Sequence, residues 1–415
     1  MKIKDGVRAK LIKSGKYKTN MLGVFFSTPL TKDDVSKNAL VPAILRRGTK
    51  NYPTMRDISI ELEKMYGAKF DCSVSKKGEN QILKFYAEFV NDKYLEESVT
   101  DKIVDMMKDI IFNPLLENDG FKVDYLAQEK VKLKNIIESR KNDKVQYALE
   151  RCYELMAENE PYSLCEYGDI AGLDRATNKD VFEAYKNMIN NFAVDIVMIG
   201  DVSDDEFNKI VDSFGFAPRN AAKITTVTRI IPEKVKNVAE EFDINQGKLS
   251  LAFRTNIEPN TKEYYEMMVY NGILGGGVQS KLFQNVREKN SLAYYAFSRL
   301  DKYKGVMGIS SGIEFKNYQK AYDTILEQIK DMEDGKITDY EYETTLKTLK
   351  NSLSSMKDEQ GALLEFYYGQ ELISSEETID ELIDKLTKVT IKDVVEVSKN
   401  VKLDTVYFMK GKEEA

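Results

Sequence analysis

The strongest constraint on this chain is that it repeats itself once. The segment LGVFFST, Leu22 to Thr28, matches LSLAFRT, Leu249 to Thr255. Alternation puts Leu22, Val24 and Phe26 on one face of an expected strand, and Leu249, Leu251 and Phe253 on the same face of a second. Further along, AILRRG (Ala43 to Gly48) stands in register with GILGGG (Gly272 to Gly277). VKLKNII (Val131 to Ile137) then matches KTLKNSL (Lys347 to Leu353), each on a helical pattern. The expected apolar stripes are Leu126, Leu133, Ile136 and Ile137 in the first helix, and Leu346, Leu349, Leu353 and Met356 in the second. Last, ATNKDVFEAYKNM (Ala176 to Met188) and VTIKDVVEVSKNV (Val389 to Val401) share seven of thirteen positions. Thr177 and Thr390 read as N-caps of equivalent helices. Four matches in one order make the chain two copies of a single α/β unit.

Each copy closes near a strand, VDIVMIGDV (Val194 to Val202) and LDTVYFMKG (Leu403 to Gly411). In the first, Phe70, Cys72 and Val74 alternate with polar residues, KKGEN supplies a turn, and Leu83, Phe85, Ala87 and Phe89 alternate on the return, which predicts a hairpin. The expected class is α+β: two homologous units, each an antiparallel-rich sheet with helices on one face. The expected limits are residues 1–217, an exposed charged connection over 218–240, and residues 241–415.

At 415 residues and 42% hydrophobic content the chain can build sizeable cores. A net charge of −7, with 31% charged residues of mixed sign, argues against a nucleic-acid partner. No apolar run approaches the roughly 18 residues a membrane span needs, and MKIKDGVRAKLIKSGKYK has no apolar core of a signal peptide. The expectation is a cytoplasmic protein with no membrane partner. Three cysteines without paired spacing, Cys72, Cys152 and Cys165, are expected to be reduced thiols.

The chain contains no histidine, which removes the commonest general base and zinc ligand at once. The glycines Gly275, Gly276 and Gly277 precede Val278-Gln279-Ser280-Lys281 and lack the Gly-Lys-Ser/Thr ending of a phosphate loop. Ser73/Lys76 and Ser354/Lys357 match Ser-x-x-Lys, a pattern that a lysine-rich chain produces by accident. The stretch GGGVQSKLFQNVREKNSLAYYAF offers other chemistry. Glycines admit a second backbone, the Arg287 guanidinium offers a planar donor fork, and the Tyr294 phenol can donate to an oxyanion. The competing reading has the glycines break a helix, Arg287 cap a carbonyl or pair with Glu288 or Glu266, and Tyr294 pack on a strand.

The duplicated unit, PYSLCEYGDIAGLDRATNKDVFEAYKNM followed by VDIVMIGDV, and above all GGGVQSKLFQNVREKNSLAYYAFS, resemble the M16 metallopeptidases of the insulinase, pitrilysin and mitochondrial processing peptidase group. The resemblance implies a LuxS/M16 metallopeptidase-like fold. It implies that Gly48-Thr49 follows an inverted zinc motif, which places Ala39, Pro42 and Ala43 where the family has its two histidines and catalytic glutamate. The third ligand falls near Ile136, with Glu138 close by. No metal, no cofactor and no catalytic residue of its own are therefore expected, and Pro42 is expected to end or kink its helix unless it lies in the first turn. In the second copy the resemblance implies that Arg287 and Tyr294, with Gly275, Gly276 and Gly277, hold a peptide substrate. The implied role is a non-catalytic subunit that pairs with a zinc-bearing relative, as a heterodimer or, without it, a homodimer. The alternative is a structural or peptide-binding scaffold with no part in proteolysis. Arg46-Arg47 is expected to form a solvated cationic turn or to contact an acidic partner.

Overall fold

The computed structural model describes residues 2–222 and 229–412. In chain order the first half contains β1 (Lys2–Lys4), β2 (Val7–Lys13), β3 (Thr19–Pro29), α1 (Val35–Leu45), α2 (Met55–Lys64), β4 (Lys69–Lys77), β5 (Asn80–Val90) and α3 (Thr100–Phe112). A minimal hairpin of β6 (Leu116–Glu117) and β7 (Gly120–Phe121) follows, then α4 (Val123–Ser139), α5 (Lys144–Met156), α6 (Ile170–Arg175), α7 (Asn178–Asn191), β8 (Ala193–Gly200) and α8 (Asp204–Ser213). The second half contains β9 (Lys236–Phe242), β10 (Gly247–Arg254), α9 (Lys262–Gly275), a π-helical segment (Leu282–Lys289), β11 (Ala293–Asp301) and β12 (Val306–Ile313). It ends with α10 (Tyr318–Glu333), α11 (Asp339–Met356), α12 (Gln360–Leu372), α13 (Ile379–Thr387), α14 (Ile391–Ser398) and β13 (Lys402–Gly411).

The repeat is written into the sheets. One runs β1-β2-β8-β3-β5-β4 and the other β11-β12-β10-β13-β9. Read from β2 and from β9, the two orders coincide. In each, the strand that opens the shared order lies parallel to its neighbour, β2 to β8 and β9 to β13, and the remaining pairs are antiparallel, including β1, which adds outside β2. The second copy therefore starts at Lys236, inside the stretch expected to be an exposed connection; of that stretch, residues 223–228 lie outside the described residues. Local chemistry sets the elements as the sequence predicts. Gly78 takes a positive φ in the two-residue turn between Lys77 and Asn80 and closes the β4–β5 hairpin. Thr177 with Asp180, and Thr390 with Asp393, form reciprocal capping boxes that start α7 and α14.

Leu22, Val24 and Phe26, and Leu249, Leu251 and Phe253, are all buried, as the alternation requires. The opposite faces of these strands are covered too, and by helices from the other repeat. One compact unit comprises Met1–Glu138, Leu164–Ile224 and Glu359–Ser374; the other comprises Ser139–Ser163, Thr225–Asp358 and Ser375–Ala415. Helix α12 thus belongs with the first sheet, where Tyr368 stacks on Phe25 at 3.9 Å between ring centroids. Helix α5 belongs with the second, where Tyr153 lies against Gly308, and the buried Cys152 thiol donates to the carbonyls of Ser250 and Thr405.

Two local expectations change. Of the α4 stripe, Leu126 and Leu133 are buried, but Ile136 is 44% exposed. In α11, Leu353 is buried, while Leu346, Leu349 and Met356 are half-buried. Pro42 neither ends nor breaks α1, although it is the eighth of eleven residues. Nine of those residues are buried, so packing on all sides holds the helix despite the lost N–H, and the Pro42 carbonyl still accepts from the Arg46 amide at 3.1 Å.

Candidate functional site

Helix α1 places the residues of the expected metal motif. Ala39 and Pro42 are buried and Ala43 is half-buried, and none offers a donor atom beyond its backbone. Ile136 on α4 offers none either. Among the described residues no three Cys, Asp or Glu side chains are grouped so as to hold a metal. The metal implied by the resemblance does not fit these residues.

Ion pairs occupy the surroundings instead. Arg46 pairs with Asp71 on β4 at 2.6 Å. Arg47 pairs with Glu129 on α4 at 3.3 Å, donates to Gln128, and lies 4.6 Å from the centre of the Tyr125 ring. Lys132 reaches the same Glu129 oxygen at 2.8 Å. The Cys72 thiol donates to the Pro42 carbonyl at 3.0 Å, and burial pushes that thiol well above its ordinary pKa. Arg46-Arg47 is therefore not a freely solvated cationic turn: carboxylates of the same chain take both guanidinium groups. Gly48-Thr49 is a structural turn. A Cβ on Gly48 would stand 2.4 Å from the Pro53 carbonyl oxygen, and the buried Thr49 hydroxyl donates to Asp109 while accepting from the amides of Asn51 and Tyr52.

The glycine-rich stretch of the second half ends α9 and turns into the π-helical segment. A Cβ on Gly275 would lie 2.4 Å from the Ser298 amide nitrogen, so the glycine lets α9 rest on the backbone of β11. Gly276 is the C-terminal cap, and Gly277 faces only the end of the Gln279 side chain at 2.7 Å. Lys281 anchors the start of the π-helical segment through Glu341 at 2.9 Å and the Lys336 carbonyl at 2.6 Å. Leu282 and Val286 bury one side of that segment. Its widened turn, a form that recurs at functional sites, carries Arg287 on the outer side. There the guanidinium stands 4.5 Å from the Phe283 ring centre and 3.6 Å from Glu288.

Tyr294 lies at the start of β11, the outermost strand of its sheet, and is 62% exposed. It is not packed on the strand. Tyr295 is half-buried, stacked with Phe297 and with Lys248 at 5.6 Å from its ring centre; burial pushes its phenol up to about 12. Tyr294 is the extra residue where the register between β11 and β12 shifts, between Ala293 and Tyr295, an irregularity that nothing in the local sequence announces. The Arg287–Glu288 pair is one of the three contacts the competing reading allows for Arg287. Even so, the Arg287 side chain remains 41% exposed, and the Tyr294 phenol is exposed at the start of an edge strand. Such donors can hold a carbonyl or a carboxylate.

Residues 175–349 match the model of the M16 peptidase inactive domain. The chain is 35% identical over 414 residues to a Bacillus subtilis (strain 168) protein described as the probable inactive metalloprotease YmfF, covering 99% of this chain and 97% of that one. It is 28% identical over 203 residues to YmxG of the same bacterium, described as an uncharacterized zinc protease, covering 48% of this chain and 49% of the relative. Among solved structures, a conserved protein from Enterococcus faecalis V583 superposes with a TM-score of 0.93 at 33% identity, covering 100% of this chain and 99% of that one.

Proposed function

Since the chain belongs to the M16 peptidase family, as an inactive metalloprotease homologue, we propose that it is a non-catalytic subunit that pairs with a zinc-bearing relative to enclose and position a peptide. The relative brings the metal, its water and the general base. This chain contributes Arg287 and Tyr294 as hydrogen-bond donors to the peptide backbone, with Gly277 leaving room for it, whereas a Cβ on Gly276 would meet the Gly272 backbone at 2.7 Å.

One observation carries this reading: the positions that the resemblance assigns to the metal site, Ala39, Pro42, Ala43 and Ile136, have no side-chain donor, whereas the second half presents the partly exposed Arg287 side chain and the exposed Tyr294 phenol at the start of an edge strand. Two supporting facts come from relatives. The YmfF resemblance runs the full length of both chains, and B. subtilis also carries a related zinc protease. No helix among the described residues is long and apolar enough to cross a membrane, and the pairing proposed here is one between cytoplasmic chains.

The test compares Arg287→Ala and Tyr294→Phe in a reconstituted pair with the zinc-bearing relative from the same genome. Removing donors that act on the bound peptide lowers kcat/KM by about tenfold to a thousandfold, and the thermal midpoint of this chain reports separately on the Arg287 contacts with Phe283 and Glu288. Unaltered kinetics in both variants would favour the scaffold role.

A further inference from the structure

We infer that Lys248 receives a carboxylate of the bound peptide, an inference that rests on the peptide-holding role proposed above. Lysine is almost never buried without a partner charge. Among the described residues, the other cations buried in the second half obey that rule: Arg254 pairs with Glu160 and Asp404, Lys281 with Glu341, and Lys304 with Glu160. Lys248, near the start of β10, is only 8% exposed and forms no ion pair with any of them. Its one hydrogen-bond acceptor among the described residues is the side-chain carbonyl of Gln246, which carries no charge. Burial pushes the ammonium below its ordinary pKa, and no described carboxylate offsets the shift. The cation is desolvated and its counter-charge is absent from this chain.

The surroundings hold the charge without neutralising it. Lys248 and Tyr295 are both register partners of Gly312, one on each side of β12, so the three residues share a face of the sheet. A Cβ on Gly312 would stand 2.4 Å from Cε1 of Tyr295, so the glycine lets that ring lie across β12. The ring then comes within 5.6 Å of the Lys248 ammonium, measured from its centre. Asp143, at the start of α5, bears on the Tyr295 phenol, but its carboxylate caps the amides of Val145 and Gln146. Gln246 is half-buried in the loop between β9 and β10. Rotation of its side chain frees the ammonium, and an arriving carboxylate replaces a neutral acceptor with a charged one. Tyr294 precedes Tyr295 on the edge strand, and Lys248 lies two strand spacings inward, about 10 Å. An extended peptide held at Tyr294 covers that distance in about three residues.

The test uses the full chain alone, so it does not depend on the zinc-bearing relative. A short alanine-based peptide capped at both ends is compared with the same peptide carrying glutamate at each position in turn, and with one left uncapped at its C-terminus. A carboxylate form should bind about tenfold or more tightly than the neutral peptide. Whether the glutamate or the free terminus gives the gain tells a side-chain ligand from a chain end. In Lys248→Met the gain should vanish while the neutral peptide still binds, and the thermal midpoint of the free chain should rise, because a buried charge without a partner has been removed. Gln246→Ala removes the competing acceptor and should enlarge the gain. Equal binding of charged and neutral peptides, or a lower midpoint in Lys248→Met, would overturn the inference and leave the peptide-holding role standing. Binding of none of the forms by the wild-type chain would overturn both.

Discussion

Gly275 and Gly277 stand two residues apart and answer to different constraints. At Gly275 a methyl group would meet the Ser298 backbone nitrogen at 2.4 Å, and backbone cannot swing aside. Gly275→Ala should therefore cost about 1–3 kcal/mol, read from the denaturant midpoint. At Gly277 the nearest atoms belong to the flexible end of Gln279, so Gly277→Ala should leave stability within about 0.5 kcal/mol. Any loss of peptide binding in Gly277→Ala would then report on the ligand and not on the fold. The sequence made this region conspicuous but could not separate a packing glycine from an open one, since the difference lies with Ser298 across the α9–β11 contact. The same limit applies to Arg47. Its partner Glu129 is remote in sequence, and an Arg-Arg dipeptide after a helix carries no sign of the carboxylates that take it.

Elements show the clearest gap between sequence and structure. Strands, hairpin, the N-caps Thr177 and Thr390 and the two repeated helices were legible because each is set by neighbours a few residues away. The destinations of α5 and α12 were not, because nothing local says that a helix will cover the sheet of the other repeat. Tyr368 is fully buried and stacked on Phe25, so Tyr368→Ala should cost about 3–5 kcal/mol, measured by chemical unfolding. Helix α12 is also held by charge: Glu365 receives Lys77 at 3.2 Å and Lys84. Burial alone would raise the Glu365 carboxyl, but the two lysines outweigh it and hold it below the ordinary value. A carboxylate lowered in the folded state stabilises at pH values above its unfolded pKa, near 4.3, and loses that contribution as pH falls through the lower folded value. Glu365→Gln should accordingly lower the thermal midpoint at pH 7 and narrow the difference toward pH 3. A difference that stayed constant with pH would show that the lysines contribute nothing to docking.

At the scale of the whole chain, duplication was legible and its consequence for folding was not. A sequence cut at residue 217 looks like a clean half, yet the first sheet lacks α12 without residues 359–374. A 1–217 fragment should show no cooperative thermal transition, and a fragment melting at the wild-type midpoint would contradict the helix assignment. The functional claim rests on the family membership and on the contrast between donor-free side chains at Ala39, Pro42, Ala43 and Ile136 and the partly exposed Arg287 and exposed Tyr294. It is tested most directly by titrating this chain into a fixed amount of the zinc-bearing relative while following cleavage of a quenched peptide library. The account predicts that the rate rises and levels at one equivalent, that a chelator abolishes it, and that the two chains co-elute. A rate equal to that of the relative alone at every ratio, with separate elution, would contradict it.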